Sequence, residues 1–190
     1  MILLTGFLPF RGRSENGSRL LAGSFDGHCI GSTPIHVEIL PVIWKGHRER
    51  LDELAARYQP ELILSLGEGQ PDRIRFENVG RNLARGHDEE GREPDESFLL
   101  REGPDTLQTP LRKPDITPER WPLVETEDAG GYLCNATLFL NLWAGRRAGF
   151  LHLPILAEHD REAYLSALRP VVEAVLQHNL AETEGQSMLA

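Results

Sequence analysis

The sequence predicts a single-domain α/β fold, a three-layer sandwich in which a mixed central sheet carries helices on both faces. Three observations predict it. Apolar, β-branched runs alternate with segments of helical periodicity; the alternation occurs twice, over residues 35–66 and again over 130–156; and a chain of 190 residues, 40% hydrophobic and 26% charged, is the size of one domain and can bury a sizeable core.

The elements follow in order. Ile2 to Thr5, Ile35 to Ile43 and Glu61 to Leu66 read as buried strands, the last ending at Gly67. Between the second and third, Leu51, Leu54, Ala55 and Tyr58 recur at helical spacing and Pro60 closes the helix. Such a strand–helix–strand unit favours parallel pairing and places chemistry-bearing loops at the carboxyl ends of the strands. Residues 130–146 are apolar nearly all round, which suits a helix sunk into the core, and 148–156 is a buried strand, so Cys134 falls near a helix start. In 160–177, Leu165, Leu168, Val172 and Leu176 keep helical spacing, and Pro170 is expected to kink or split that surface helix. Residues 86–120 carry five prolines and the acidic run Asp88 to Glu90 without periodic signal, and read as a mobile or irregular loop region. No repeat or boundary divides the chain, so 1–190 is expected to be one domain.

Composition excludes several function classes. A formal net charge of -9 argues against a phosphate-binding surface, and hence against nucleic acid as a partner. The opening MILLTG has no basic leader and no cleavage site and reads as a first strand, and no window reaches the roughly 18 apolar residues of a membrane span. A cytoplasmic location is expected, with no membrane partner. There Cys29 and Cys134 are free thiols. His28, His36, His47, His87, His159 and His178 make no HExxH or CxxC pattern, so no metal and no organic cofactor is assigned.

Three residues carry the chemistry that remains. A cysteine peptidase needs a thiolate, an imidazole to take and return its proton, and an acceptor that orients the imidazole. Cys134 follows Gly130 and Gly131 at a helix start, where amide groups and a nearby cation would favour the anion; the alternative is a small thiol packing the core. His152 lies between Leu151 and Leu153 on a strand and faces away from both, toward a site or a neighbouring helix. Glu77 shares a strand face with Arg75 and Arg73, opposite Ile74 and Phe76, either as a surface ion-pair ladder or as the third member.

Several separated segments resemble one family. LLTGFLPFRGRSENGS (3–18) resembles the amino-terminal signature of pyroglutamyl peptidase I, the pyrrolidone-carboxylate peptidases; LGEGQPDRIRFENVGRNLA (66–84) resembles the segment bearing that family's glutamate; REGPDTLQTPL (101–111) its DGP stretch; DAGGYLCN (128–135) its cysteine box; and GFLHLP (149–154) its histidine box. The order of five motifs is shared up to about residue 156. The resemblance implies Cys134 as nucleophile, His152 as general base and then acid, and Glu77 as the residue orienting the imidazole. It implies removal of an amino-terminal pyroglutamyl residue from peptides through a thioester acyl-enzyme, with a substrate pocket lined by Phe7, Phe10, Asn16, Glu68, Tyr132 and Leu133 and with Arg85 at the oxyanion. Family members are often oligomeric, which implies a homodimer or homotetramer. Departures are specific: PFGG is PFRG, the glutamine after the third strand is Glu68, GQPD (69–72) replaces a glycine-rich turn, and ERVAIN is ENVGRN. If the Glu68 side chain enters the pocket, its charge suits a neutral lactam poorly; if contact is through the backbone, little changes. Two other readings stand beside this one: a non-catalytic lactam-binding relative altered between Glu68 and Arg81, and a thiol redox protein using Cys29 and Cys134.

Overall fold

Side-chain alternation along four buried strands sets the architecture. A computed structural model describes residues 1–156 and 160–187, with side chains as far as Ala181. The chain runs β1 (Ile2–Phe7), α1 (Gly17–Gly23), β2 (Cys29–Ile30), β3 (Thr33–Leu40), α2 (His47–Tyr58), β4 (Leu62–Glu68), β5 (Ile74–Glu77), β6 (Val79–Arg81), β7 (Thr106–Gln108), β8 (Leu123–Thr126), α3 (Leu133–Trp143), β9 (Ala148–Leu153) and α4 (Arg161–Ser187). Seven strands form one sheet in the order β2-β3-β1-β4-β9-β5-β8, while β6 and β7 pair separately. β3, β1, β4 and β9 are parallel neighbours. β5 runs antiparallel to β9 and parallel to β8, and β2 antiparallel to β3, so the sheet is mixed as predicted.

Alternate residues of each strand serve different layers. Ile2, Leu4, Leu62, Leu64, Leu66, Ile74, Phe76, Leu151 and Leu153 pack with Leu21 and Ala22 of α1 and Tyr164, Leu168, Val172 and Leu176 of α4. Leu3, Phe7, Ile63, Ala148 and Phe150 pack with Leu51 and Leu54 of α2 and with Leu133, Ala136 and Phe139 of α3. The chain moves from β1 outward to β3, then returns past β1 to β4, so the strand order reverses between β1 and β4. Parallel sheets open a crevice at such a reversal, at the carboxyl ends of the strands. Phe7 and Glu68 end those two strands.

Some boundaries differ from expectation. α1 was not anticipated; Asn16 caps it, its Oδ1 accepting from Ser18 N at 2.9 Å, and an Asn before Gly-Ser-Arg-Leu-Leu is a readable start signal. α4 runs to Ser187, past the expected 177, and Pro170 lies inside it without splitting it, because Val171, Val172 and Val175 bury its face against the sheet. Residues 86–120 contain β7 and no helix, yet they are tied to the body. Asp88 accepts from the amides of Trp44, Glu90 and Arg92 at 2.9 Å each, and Asn82 Oδ1 accepts from Leu99 and Leu100 at 2.8 Å. Among the described residues, no helix is long and apolar enough to cross a membrane.

Candidate active site

β9 and β5 bring a histidine and a carboxylate together inside the protein. Their antiparallel register sets Arg75 opposite His152 and Glu77 opposite Phe150, so Glu77 is His152's diagonal neighbour on one face. His152 Nδ1 lies 2.6 Å from Glu77 Oε1. Glu77 is fully buried, and its other oxygen, Oε2, accepts a hydrogen bond from Thr126 Oγ1. The surface ion-pair ladder is thereby corrected: only Arg73, paired with Asp72, sits at the surface. Arg75 turns inward, its Nη2 3.1 Å from His152 Nδ1 and 3.3 Å from Glu77 Oε1.

Cys134 arrives from the other layer. It is the second residue of α3, following Tyr132, an N-cap without a side-chain hydrogen bond. Its Sγ rests on Gly67: a Cβ at that position would lie 2.9 Å from Sγ and 2.8 Å from Phe150 Cζ. Gly67 is also His152's register partner across β4 and β9. The glycine therefore lets a helix start descend onto the sheet where the imidazole stands, which no other residue type permits at that spacing.

Electrostatics correct one expectation. Burial pushes the Cys134 thiol up to about 12, helped by the Glu77 charge; Arg75 and the backbone amide pull downward and lose. Burial also lowers His152, against the raising influence of Glu77 and alongside the lowering influence of Arg75. Both shifts favour the uncharged forms of thiol and imidazole, against the direction in which the helix start acts on the thiol. Desolvation is the largest cause of the thiol's shift, although the residue is only half-buried, with its sulfur resting on Gly67.

Beside the thiol, Phe7, Phe10, Asn16, Glu68, Tyr132, Leu133 and Cys134 line one narrow cavity of about 20 Å³, together with Val42, which sequence reasoning missed. The structure brings every expected substrate-contact residue to this cavity. Glu68 resolves the question its charge raised. Strand alternation turns it toward α1, where Oε1 accepts from Gly17 N at 2.8 Å and Leu156 N at 3.0 Å and Oε2 pairs with Arg13. Arg13 in turn lies over the Phe10 ring, 4.7 Å from its centroid. Arg11, the residue replacing glycine in PFRG, has φ 56°, a left-handed conformation, and its amide is held by Glu89 Oε1 at 2.8 Å.

Arg85 is beside this cavity rather than in it. Its amide donates to Gly131 O at 2.8 Å and its side chain lies against Gly131, three residues before the cysteine. Cys29 is on β2 at the sheet edge, with β3 and β1 between it and β4, and both cysteines are free. His159 lies outside the described residues. Among those described, no cluster of three or more His, Cys, Asp or Glu could hold a metal ion.

A mixed α/β sandwich with a thiol at a helix amino terminus, next to an imidazole bonded to a buried carboxylate, defines a cysteine peptidase. The chain belongs to the pyroglutamyl peptidase family, whose model matches residues 1–167. The pyrrolidone-carboxylate peptidase of Chromobacterium violaceum is 32% identical over 166 residues, covering 83% of this chain and 79% of its own. The solved pyrrolidone carboxyl peptidase of Thermococcus litoralis superposes with a TM-score of 0.81 at 26% identity, covering 97% of this chain and 95% of the other. The pyroglutamyl peptidase I of Bacillus amyloliquefaciens gives 0.77 at 26% identity, covering 94% and 96%.

Proposed function

We propose that this protein hydrolyses the amide bond after an amino-terminal pyroglutamyl residue. The observation that carries the reading is the junction of two parts: an imidazole bonded to a buried carboxylate, and a narrow, mostly apolar cavity lined by Cys134, whose sulfur rests on the glycine paired in register with that histidine. With Nδ1–H donated to Glu77, His152 keeps a free lone pair on Nε2. His152 takes the Cys134 proton as Sγ attacks the pyroglutamyl carbonyl carbon. The tetrahedral adduct then collapses, the C–N bond breaks, and the imidazolium returns its proton to the leaving amine. A thioester remains. Water, deprotonated by His152, attacks it and releases pyroglutamate and the thiol. The oxyanion would face the first-turn amides of α3, with Arg85 adding positive charge from the side of Gly131.

A lactam-capped terminus suits the cavity because it carries no ammonium charge. Phe7, Phe10 and Leu133 offer apolar walls, and Glu68 spends its charge on Arg13 and two amides. Asn16 uses one amide hydrogen on Leu8 O and both lone pairs on Ser18, leaving its second hydrogen for a ligand carbonyl. The cavity holds little more than one water, so a ring enters only as the partly exposed rim residues Phe10 and Tyr132 turn outward. Cytoplasmic location fits two free thiols, and a homodimer or homotetramer is what the family resemblance implies.

The test is hydrolysis of a pyroglutamyl reporter amide by the wild type, Cys134→Ser and Cys29→Ser. Loss of at least a thousandfold in Cys134→Ser alone is expected. Wild-type turnover at background, with lactam binding retained, would instead establish a non-catalytic relative; equal loss in Cys29→Ser would establish a redox couple.

A further inference from the structure

We propose that Arg75 is a positioning residue of this site: laid across the Glu77–His152 pair, its guanidinium keeps the imidazole an unprotonated base into mildly acidic solution. This rests on the peptidase reading for its catalytic consequence, though not for its structural one. Three groups meet at one carboxylate oxygen. His152 Nδ1 is 2.6 Å from Glu77 Oε1, and Arg75 Nη2 is 3.3 Å from that oxygen and 3.1 Å from Nδ1.

The contacts compete for the ring proton. Nδ1 cannot both donate to Glu77 and accept from Arg75. The shorter contact is to a fully buried carboxylate and is charge-assisted, so it wins and puts the proton on Nδ1. Arg75 then faces an N–H. A neutral ring tolerates this, whereas an imidazolium would place two cations about 3 Å apart in a dry site. Charge, and not donor saturation, is what this guanidinium supplies, because its Nε is buried without a partner.

The other groups around the pair do not supply that charge. From α3 comes Cys134, a thiol whose pKa burial raises; from β4, Glu68, committed to Arg13; from β8, Thr126, uncharged and donating to Glu77; from β5, Arg73, turned out to Asp72. Burial and Arg75 both lower the imidazole, and only Glu77 raises it.

The test titrates the His152 ring by NMR in a Cys134→Ser background, with Arg75, Arg75→Lys, Arg75→Gln and Arg75→Met, alongside pH profiles of kcat/KM in the Cys134 forms. Arg75→Gln and Arg75→Met are expected to raise the imidazole midpoint, and with it the acid limb, by roughly one pH unit, while Arg75→Lys stays near the wild type. The position of the limb is the readout, not the height of the plateau. Equal midpoints in the Arg and Gln forms would overturn the proposal. A wild type without turnover would sink the peptidase reading separately, since the NMR midpoints still decide the role of Arg75.

Discussion

On the face covered by α1 and α4, the central strands present Ile2, Leu4, Leu62, Leu64, Leu66, Ile74, Phe76, Leu151 and Leu153, an unbroken apolar layer. On the face covered by α2 and α3, the same strands present Thr5, Ser65, Gly67, Arg75, Glu77 and His152 among Leu3, Ile63 and Phe150. Apart from Glu68 at its edge, the first face can be judged by area removed from water alone. The second holds polar groups that must find partners, and most do: Thr5 Oγ1 donates to Ser65 Oγ at 2.9 Å, and Glu77 serves both Thr126 and His152, while Arg75 Nε stays without one. Period-two alternation lets one strand stabilise through one side and react through the other.

Neighbouring residues on β5 give the sharpest way to break this division. Phe76→Ala, on the apolar face, is expected to cost about 4 kcal/mol in denaturant unfolding while leaving kcat/KM of the folded fraction unchanged. A parallel loss of specific activity would show that the two faces are not separable.

The next largest effect is a pH dependence of stability on the α2/α3 face. His47 is buried, and its Nε2–H donates to Thr137 Oγ1 at 2.8 Å, because that hydroxyl already donates to Leu133 O. Burial lowers His47 to about 4 from 6.5. Between those values the unfolded chain binds the proton and the folded one does not, so stability rises with pH from about 4 to 6.5, by roughly 3 kcal/mol in all. Urea midpoints measured across this range should show that slope in the wild type and a flatter one in His47→Gln.

Glu77→Gln is expected to cut kcat/KM roughly a hundredfold, about 2.7 kcal/mol, because the amide no longer fixes the proton on Nδ1. Full activity in both Glu77→Gln and Glu77→Ala would make Glu77 structural and would place the chemistry on Cys134 and His152 alone. The smallest effect lies at the cavity rim: Arg11→Gly relieves the left-handed conformation and should raise stability by about 0.5 kcal/mol in thermal unfolding, after the entropy cost of glycine is subtracted.

How much of this was legible in the sequence depends on range. The central strands β1, β3, β4 and β9, with α2 and α3, follow from local periodicity, while the short β2, β6, β7 and β8 gave no such signal; Cys134 and His152 follow from short motifs that resemble a family's boxes. Glu77 was half legible: Ile-Arg-Phe-Glu fixes which side chains share a face, but not whether that face meets water or α3. The alternation that paired Arg75 with Glu77 was visible too, and only the register with β9 reveals that both meet His152. The Arg13–Glu68 pair was hidden, since no local pattern links residues 55 apart. The balance at the thiol was hidden as well, because the sequence displays the helix start that lowers its pKa and conceals the desolvation that raises it.

That hidden pair has a consequence for folding order. Glu68 fastens Gly17, 51 residues earlier, and Leu156, 88 residues later, to the end of one strand. Contacts of such span close the largest loops and form late, when most of the chain is already in place. A chain released with its last third unfolded would have neither Cys134 nor His152 in place and no finished cavity wall, and so would not cleave peptides while it folds. For the same reason a ligand seated against that wall should protect against global unfolding and not merely against local fraying.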